Sequence, residues 1–392
     1  MSLFKNFIKS DPKCRKKFLI NMGCRGAMGF MKFRRRKKKG KLFPAFQFIS
    51  ITNDCNLKCQ GCWVSNEGPK KYMQFDKINS IIESAKKQGS YFFGILGGEP
   101  FMHKDLTEIF KTHADSYFQL FTNGTLFTEN LASQLRDFGN VTILISLEGD
   151  ENVADIRRGG HNVYDRTLKA IQTATSAGLI TGVAISVCKS NIEMALSEEF
   201  VYKLHDLGVL YIWYYIYRPA GSKPNYDLAL NSADIFRLRK FLVGGRTKFP
   251  MVLIDSYWRA NGEPFCPAAD GLSHHINPDG DIEPCPVVQM ARENIDDGEL
   301  VSVYENSEFL KNFRNEINNK TGGCILMEDP RWLNDFAKKS KARNSSNRED
   351  FFDDLQKAPS LVSHGSCPVI PEKSLIYRIA KKTAFFGMGA YG

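Results

Sequence analysis

The stretch "FQFISITNDCNLKCQGC" (46–62) joins a short apolar run to three cysteines. Residues 46–52 are apolar at most positions, which is typical of a strand that is buried on both faces of a sheet. Cys55, Cys59 and Cys62 follow this run directly. Closely spaced thiolates are soft ligands that bind zinc or iron–sulfur clusters, so this stretch links the fold to metal chemistry.

The composition indicates a folded protein of a reducing compartment. With 392 residues, of which 43% are hydrophobic, the chain can bury one large core and a second, smaller one. No signal-peptide core and no run of about 18 apolar residues is present. We therefore expect a cytoplasmic protein in which the ten cysteines serve metal or redox chemistry rather than disulfides.

Apolar segments alternate with amphipathic ones from residue 46 onward. Their spacing of roughly 30 residues is that of a βαβ unit and predicts a parallel sheet. The count favours an open, partial (βα)6 relative of the (βα)8 TIM barrel, which needs about 250 residues. The predicted strands are 46–52, 91–97, 117–123, 141–147, 180–187 and 209–217, and three of the predicted helices are 75–88, 128–139 and 164–178.

Changes in pattern divide the chain into three predicted domains. Residues 1–45 form a basic, partly amphipathic extension, and 46–245 form the partial barrel. After residue 246 the alternation stops, and proline, glycine and cysteine become dense in 261–288, which predicts a smaller, irregular domain over 246–392. Within that domain 338–357 is predicted to be a polar, mobile insertion.

Polar motifs stand at the ends of the predicted strands, where barrel folds build their chemistry. Each motif alone is ambiguous, since "GGEP" is an ordinary turn and Arg157 and Arg158 could be surface charges. Their occurrence at successive strand ends predicts one shared site. The strand-end motifs are "GGEP" (97–100), "TNGT" (122–125) and "SLEG" (146–149), and "IRRGG" (156–160) follows the last of them.

The cysteine triplet and these motifs together resemble the radical S-adenosylmethionine (SAM) enzymes. "CNLKCQGC" (55–62) matches the family signature CxxxCxxC, and the later motifs follow in the family's order over residues 46 to 217. The resemblance implies that Cys55, Cys59 and Cys62 hold a [4Fe-4S] cluster. Its fourth iron is left open to bind SAM.

The resemblance also implies roles for the strand-end residues. Gly97 and Gly98 would let the backbone approach the methionine part of SAM, and Glu99 would accept its ammonium group. Arg158 would pair with the SAM carboxylate as a bidentate donor. The implied cofactor-binding residues are Gly97, Gly98, Glu99, Asn123, Ser146, Glu148 and Arg158, with Ser146 and Glu148 near the ribose and 182–187 beside the adenine.

The implied reaction is a one-electron chemistry carried by the cofactors. An electron from a donor of the flavodoxin or ferredoxin type reduces the cluster. Reductive cleavage of SAM then produces a 5'-deoxyadenosyl radical, which abstracts a hydrogen atom from an unactivated carbon of the substrate.

A second set of cysteines lies beyond the predicted barrel. Its members are Cys266, Cys285, Cys324 and Cys367, and four is the number that fully ligates a cubane cluster. The spacing C-x13-G-x4-C from Cys266 to Cys285 resembles the auxiliary-cluster region of SPASM and twitch radical SAM enzymes. The dense cysteine run of the full SPASM pattern is absent, so the resemblance implies one auxiliary [4Fe-4S] cluster, in electron transfer. Cys324 or Cys367 could instead be a buried thiol, and we interpret Cys14, Cys24 and Cys188 as structural.

The substrate is left open between peptides and lipids or other small molecules. SPASM and twitch relatives commonly modify peptides, although residues 1–45 are too few and too basic for a peptide-clasping winged helix. Apolar residues alternate with basic ones in 18–39 and again in 377–392, a pattern that could rest on the anionic inner face of a membrane. Tyr214, Tyr215 and Tyr217 could face the substrate.

A different functional class is a cysteine-rich zinc protein that binds nucleic acid or a protein partner. Its cysteines should occur as paired CxxC units, which this chain lacks. The strand-end motifs would also have no role in such a protein. We therefore expect no nucleic-acid partner.

Overall fold

A computed structural model describes residues 5–64, 68–255, 257–364 and 369–382. Within these ranges the strands form one sheet of nine and one of two. The strands are β1 (Phe46–Ser50), β2 (Phe92–Leu96), β3 (Tyr117–Thr122), β4 (Val141–Ser146), β5 (Ile180–Val187), β6 (Tyr211–Ile216), β7 (Val252–Ile254), β8 (Ser273–Ile276), β9 (Ile282–Glu283), β10 (Met290–Ala291) and β11 (Arg343–Asn344).

Helices surround the large sheet and build the region that follows it. The α-helices are α1 (Lys5–Lys9), α2 (Pro12–Lys17), α3 (Gly26–Lys38), α4 (Phe75–Lys87), α5 (Leu106–Thr112), α6 (Glu129–Phe138), α7 (Glu151–Arg158), α8 (Val163–Ser176), α9 (Ile192–Ala195), α10 (Glu198–Asp206), α11 (Ser232–Lys248), α12 (Pro267–Asp270), α13 (Leu300–Asn306), α14 (Glu308–Lys320), α15 (Ile325–Glu328), α16 (Pro330–Ser340), α17 (Phe351–Lys357) and α18 (Leu375–Lys382). A π-helical segment spans Phe18–Arg25, and 3-10 turns span Pro100–Met102, Tyr226–Leu228 and Ile295–Asp297. None of the helices in the described ranges combines the length and the apolar character that crossing a membrane requires.

The large sheet has the order β7-β6-β5-β4-β3-β2-β1-β8-β9. The strands β1 to β6 pair in parallel with their neighbours in the chain, as right-handed βαβ crossovers require. All six strands that the sequence predicted are present, and the partial (βα)6 TIM-like barrel is confirmed. All carboxyl ends of these strands therefore lie at one end of the sheet.

Helix signals in the sequence also match the structure. The predicted helix 128–139 is α6, where the Thr128 side chain accepts a hydrogen bond from the Leu131 amide and Gly139 ends the helix at φ 74°. In α4 the buried residues Ile78, Ile81 and Ile82 recur at three and four positions and pack on the sheet.

The sheet continues past residue 245, where the second domain was predicted to begin. Both β7, which pairs with β6, and β8, which pairs with β1, are parallel additions to the barrel sheet. The apolar pattern did not predict β8, because three of its four residues, "SHHI", are polar. The His275 ring is satisfied inside the core by Ser50 Oγ at 2.7 Å and Glu283 Oε2 at 2.5 Å, so a polar strand is buried here.

The described part of the N-terminal extension is helical and packs on the barrel. Met22 and Phe33 join a cluster with Phe46 and Phe92, the first residues of β1 and β2. Asn21 Nδ2 donates to the Ser116 carbonyl at 3.0 Å. These helices therefore cover the N-terminal ends of the strands, opposite to the carboxyl ends.

The segment 338–357, which we predicted to be a polar, mobile insertion, has regular secondary structure. It contains β11, which pairs antiparallel with β10, and α17. Phe351 and Leu355, four positions apart, bury one face of α17, while the polar residues around them face solvent. A surface helix with a narrow apolar face is polar on average. Average polarity alone therefore does not distinguish such a helix from a loop.

Candidate functional site

A cavity of about 170 Å³ lies at the carboxyl ends of the barrel strands. Side chains and backbone from every strand end between β1 and β6 contribute to its wall. Of the residues predicted to bind the cluster or SAM, it is lined by Cys55, Cys59, Cys62, Gly97, Gly98, Asn123, Ser146, Glu148 and Arg158. The fold thus brings motifs separated by more than a hundred residues into one site.

The glycines of GGEP lie against the start of the cysteine loop. Gly98 N donates to the Thr52 carbonyl at 2.8 Å, and Glu99 N donates to the Asp54 carbonyl at 2.8 Å. A Cβ atom on Gly98 would lie 2.2 Å from the Asp54 oxygen, so a larger residue would push the loop away. This contact explains the glycine, and the predicted approach of the same backbone to SAM stays a prediction.

The C-terminal end of α7 supports the cysteine loop from the other side. Gln60 N donates to the Arg157 carbonyl at 2.8 Å. Gly159 ends the helix at φ 62°, and a Cβ atom there would lie 2.3 Å from the Lys58 oxygen. The "RRGG" motif therefore positions the loop as well as contributing arginine side chains to the cavity.

The three thiols have the character of iron–sulfur ligands. Burial raises the pKa of Cys55 and of Cys62 to about 12, so cluster binding would release protons from these thiols. Polar hydrogens already point at the sulfurs, since Arg158 Nη1 lies 3.8 Å from Cys59 Sγ and Asn123 Nδ2 lies 3.9 Å from Cys55 Sγ. Such donors stabilise thiolate-bound clusters, so the donor set fits a cubane.

The arrangement of the three thiols bears on the kind of metal group that they would hold. A structural zinc site gathers four ligands around one point. In the parts of the chain that the structure describes, no three His, Cys, Asp or Glu side chains come close enough to hold one metal ion. A cubane binds each cysteine at a different iron, so it accepts thiols that lie farther apart.

Glu148 and Arg158 form a buried ion pair in the wall of the cavity. Arg158 Nη2 donates to Glu148 Oε1 at 2.6 Å, and Glu148 Oε2 accepts from Ser186 N at 3.1 Å. Burial alone would lower the pKa of Arg158, but the Glu148 carboxylate raises it above the ordinary value. Arg157 is also buried, with Nη2 at 3.7 Å from Glu148 Oε2, so neither arginine is a surface charge.

Glu99 lies behind the cavity rather than in its wall. Its side chain is 0% exposed and accepts hydrogen bonds from Thr122 Oγ1 at 2.7 Å and from Asn123 N at 2.8 Å. Burial raises the pKa of Glu99 to about 7. The carboxylate therefore connects GGEP to the end of β3, and its predicted contact with the SAM ammonium group stays a prediction.

Several residues of the cavity were not predicted as ligands, among them Trp63, Arg157, Ser186 and Arg218. Of the three tyrosines on β6 and just after it, Tyr215 and Tyr217 line the cavity, whereas the Tyr214 hydroxyl donates to the Ala195 carbonyl at 3.2 Å. Side chains alternate between the two faces of a strand. That alternation separates Tyr214 from the other two and could have been predicted from the sequence.

The second cysteine set gathers beside the first cavity. Cys266, Cys285 and Cys324 are close enough to interact electrostatically with one another. Burial raises the pKa of Cys266 to about 11 and raises that of Cys285 as well. Cys367, the predicted fourth member, lies outside the described residues.

Arg218 lies between the cavity and the second cysteine set. It lines the cavity directly after β6, is 9% exposed, and has its guanidinium 4.9 Å from the centre of the Tyr257 ring. Burial alone would lower its pKa, but Tyr257 and the three cysteines raise it. Among the residues that the structure describes, no carboxylate pairs with Arg218, and its Nη1 atom has no hydrogen-bond partner.

Comparison with known proteins finds relatives of the part of the chain that carries most of this site. Residues 49–195 match the model of the radical SAM superfamily. The Fe-coproporphyrin III synthase of Methanosarcina barkeri is 25% identical over 189 residues, which are 47% of each chain, so the match spans about half of that relative. The AdoMet-dependent heme synthase of Oleidesulfovibrio alaskensis is 24% identical over 315 residues, 72% of this chain and 80% of that one.

The solved structures include the same fold. Streptococcus suis SuiB, solved bound to the precursor peptide SuiA, superposes with a TM-score of 0.61 over 72% of this chain and 70% of that chain. At 18% identity this likeness shows the architecture only. The matched segment, residues 49–195, spans the cysteine loop and the strand ends β1 to β5, and this part of the chain is similar to the radical SAM superfamily, whose enzymes use a [4Fe-4S] cluster and SAM.

Proposed function

We propose that this protein abstracts a hydrogen atom from an unactivated carbon of its substrate. The observation that carries the proposal is that Cys55, Cys59 and Cys62 share one cavity with the strand-end residues that the family uses for SAM. When bound, the cluster and SAM supply the electron and the radical that this reaction needs.

The chain's own residues hold and orient these groups. Cys55, Cys59 and Cys62 are the ligands of the cluster. Arg158 keeps an Nε atom that has no hydrogen-bond partner in the described ranges, which leaves a donor for an anionic group in the cavity. We propose that this group is the SAM carboxylate and that Glu148 holds the guanidinium in place for it.

We further propose that the second cysteine set holds one auxiliary [4Fe-4S] cluster. Support comes from the mutual interaction of Cys266, Cys285 and Cys324, with Cys367 as the fourth ligand that the sequence predicts. Four thiolates leave no open iron, so this cluster suits electron transfer rather than substrate binding. The external electron donor would be of the flavodoxin or ferredoxin type.

For the substrate we propose a peptide or a small molecule. A peptide has the support of the fold shared with SuiB, which was solved with a precursor peptide. A tetrapyrrole has the support of the relative named a heme synthase, whose match covers 80% of its length. A lipid, the third class that the sequence left open, has no comparable support.

The direct test is anaerobic reconstitution with iron and sulfide, followed by reduction with dithionite in the presence of SAM. We expect about eight irons per chain and the release of methionine and 5'-deoxyadenosine. Faster release with a tetrapyrrole than with unrelated peptides would favour the tetrapyrrole. Stoichiometric zinc without sulfide would contradict the proposal and support a zinc protein.

Replacement of Arg218 by Met is expected to lower the reduction potential of the auxiliary cluster. The guanidinium lies beside three of the proposed ligands, so its positive charge favours the addition of an electron. At a separation of about 5–10 Å and an effective dielectric constant of about 20, the loss of one charge corresponds to a shift on the order of 100 mV. A redox titration followed by electron paramagnetic resonance measures this shift.

Arg218→Lys is the matched control, since it keeps the charge, and its potential should stay near that of the wild type. The titration is cleanest in a chain whose first cluster is removed by Cys55→Ala, Cys59→Ala and Cys62→Ala. Equal potentials for Arg218→Met and the wild type would show that Arg218 does not act on the cluster.

A further inference from the structure

A second cavity, of about 720 Å³, lies between α3, the chain around Trp258 and the C-terminal helix α18. Its wall combines aromatic rings with cationic side chains. Phe30 and Phe33 come from α3, and Trp258 and Phe265 come from the segment after β7. This cavity is separate from the cysteine sites, and the proposed function does not use it.

Positive charge is concentrated around this second cavity. Arg34 and Lys38 of α3 and Lys382 of α18 line it and are exposed. Residues 5–41 contain fifteen Lys and Arg but a single Asp, an excess larger than the net charge of +10 for the whole chain. The wall also contains Asp270, which Lys37 Nζ contacts at 2.9 Å, so that acid is already paired. The cavity therefore suits an anionic ligand.

Exposed aliphatic residues accompany the cations on both helices. On α18, Leu375, Ile376 and Ile379 are 61%, 66% and 54% exposed. On α3, Met28 and Met31 are 50% and 52% exposed. Large apolar side chains that are exposed on both helices beside one cavity indicate an interaction surface.

The inner side of α18 is anchored, which determines the face that it presents outward. Leu253 N donates to the Tyr377 hydroxyl at 3.0 Å, and Lys381 Nζ donates to Asp255 Oδ1 at 2.8 Å. Because Tyr377 is held in the core, the opposite face with Ile376 and Ile379 points away from the protein. The aliphatic surface is therefore a fixed feature of the fold.

We propose that α3 and α18 form a docking surface for an anionic lipid bilayer, and that the cavity between them receives a phospholipid headgroup. Cations attract the anionic headgroups, and aliphatic side chains enter the acyl boundary, as in interfacial amphipathic helices. Nucleic acid would need the cations but not the aliphatic residues. Since α3 covers the N-terminal ends of the strands, docking leaves the cluster cavity at the opposite ends open.

The test is cosedimentation of the full chain with phosphatidylcholine vesicles that contain or lack phosphatidylglycerol. We expect binding only to the anionic vesicles, and less of it at high salt because the charges are screened. The triple variant Arg34→Gln, Lys38→Gln and Lys382→Gln should bind about a hundredfold more weakly. The matched control Lys311→Gln, Lys338→Gln and Lys339→Gln loses the same charge from exposed residues outside the cavity wall and should bind like the wild type.

A second variant separates a bilayer from other partners. Ile376→Ser with Ile379→Ser changes exposed residues only, so the fold should persist, and it should weaken vesicle binding while leaving the charges intact. Three results would overturn the proposal: vesicle binding by both triple variants at the wild-type level, duplex DNA binding tighter than vesicle binding, or an aliphatic-dependent dimer in light scattering. SAM cleavage should be unchanged in these variants. Evidence against membrane docking would therefore not count against the proposed function.

Discussion

Replacement of Cys55, Cys59 and Cys62 by Ala is expected to abolish reductive SAM cleavage completely. The three thiols line one cavity with Arg158 and Glu148, and no other cysteine among the described residues lines it. Loss of all three removes the proposed ligands of the catalytic cluster. The measurement is 5'-deoxyadenosine release after anaerobic reconstitution and reduction.

The same variant tests the second cysteine set through its iron content. If that set holds an auxiliary cluster, iron should fall from about eight to about four per chain. Cys24→Ala is the control, since Cys24 is exposed and lies in the N-terminal π-helical segment, and it should keep both iron and activity. Iron that falls to none would show that Cys266, Cys285 and Cys324 do not bind a cluster.

Asp255→Asn is expected to give the largest loss of stability. Asp255 is fully buried and lies in a network with one more carboxylate, Glu372, and three cations. Lys381 Nζ is 2.8 Å from Asp255 Oδ1, and Arg239 Nη1 is 2.7 Å from Glu372 Oε1. Arg246 contacts both acids. Loss of one carboxylate leaves buried cations underpaired, which costs about 3–5 kcal/mol of the free energy of unfolding.

The pH dependence of the stability follows from the direction in which the pKa of Asp255 is shifted. Burial acts to raise the pKa of Asp255, but Lys381, Arg246 and Arg239 lower it below the ordinary value of 3.8. The folded state therefore binds this proton more weakly than the unfolded chain. Its stabilisation is complete above pH 3.8 and is lost as the pH falls through the lower, folded pKa. Urea unfolding of the wild type and Asp255→Asn should converge in acid.

Glu193→Gln is the matched control for this prediction. Glu193 accepts hydrogen bonds from both Nη atoms of Arg237, at 2.9 Å and 2.8 Å, but the pair is exposed. Solvent screens such a pair, so its loss should have little effect on stability. Equal effects of the two substitutions would contradict the role assigned to burial.

Vesicle binding should weaken in Asp255→Asn, because Asp255 anchors α18 through Lys381.

Much of the barrel could be predicted because its signals are local. Each strand from β1 to β6 is a short apolar run, and each is followed by a helix with its own periodicity or caps. The strands β7 and β8 were not predicted, and the reason differs between them. The strand β7 has only three residues, and β8 owes its buried polar side chains to partners that lie far away in the chain.

The candidate site also has features that could be predicted from the sequence and features that could not. Motif order along the chain was enough to predict that Cys55, Asn123 and Glu148 would share a cavity, because parallel strands place all their carboxyl ends together. Arg158 reaches the same cavity from the C-terminal end of α7. Glu99 follows the same rule, yet its side chain turns into the core, since its carboxylate can reach the Thr122 hydroxyl and the Asn123 amide there. Whether a strand-end side chain points into the core or into the cavity depends on the atoms around it and not on its position in the sequence.

By itself, the sequence determined the parallel sheet, the cysteine loop after its first strand, and the end of the sheet that carries the chemistry. These features follow from periodicity and order, which are properties of neighbouring residues. Only the tertiary structure decided that Arg218 lies beside Cys266, Cys285 and Cys324, and that α3 and α18 enclose one basic cavity. These contacts join residues far apart in the chain, and the packing of the whole molecule sets their distances.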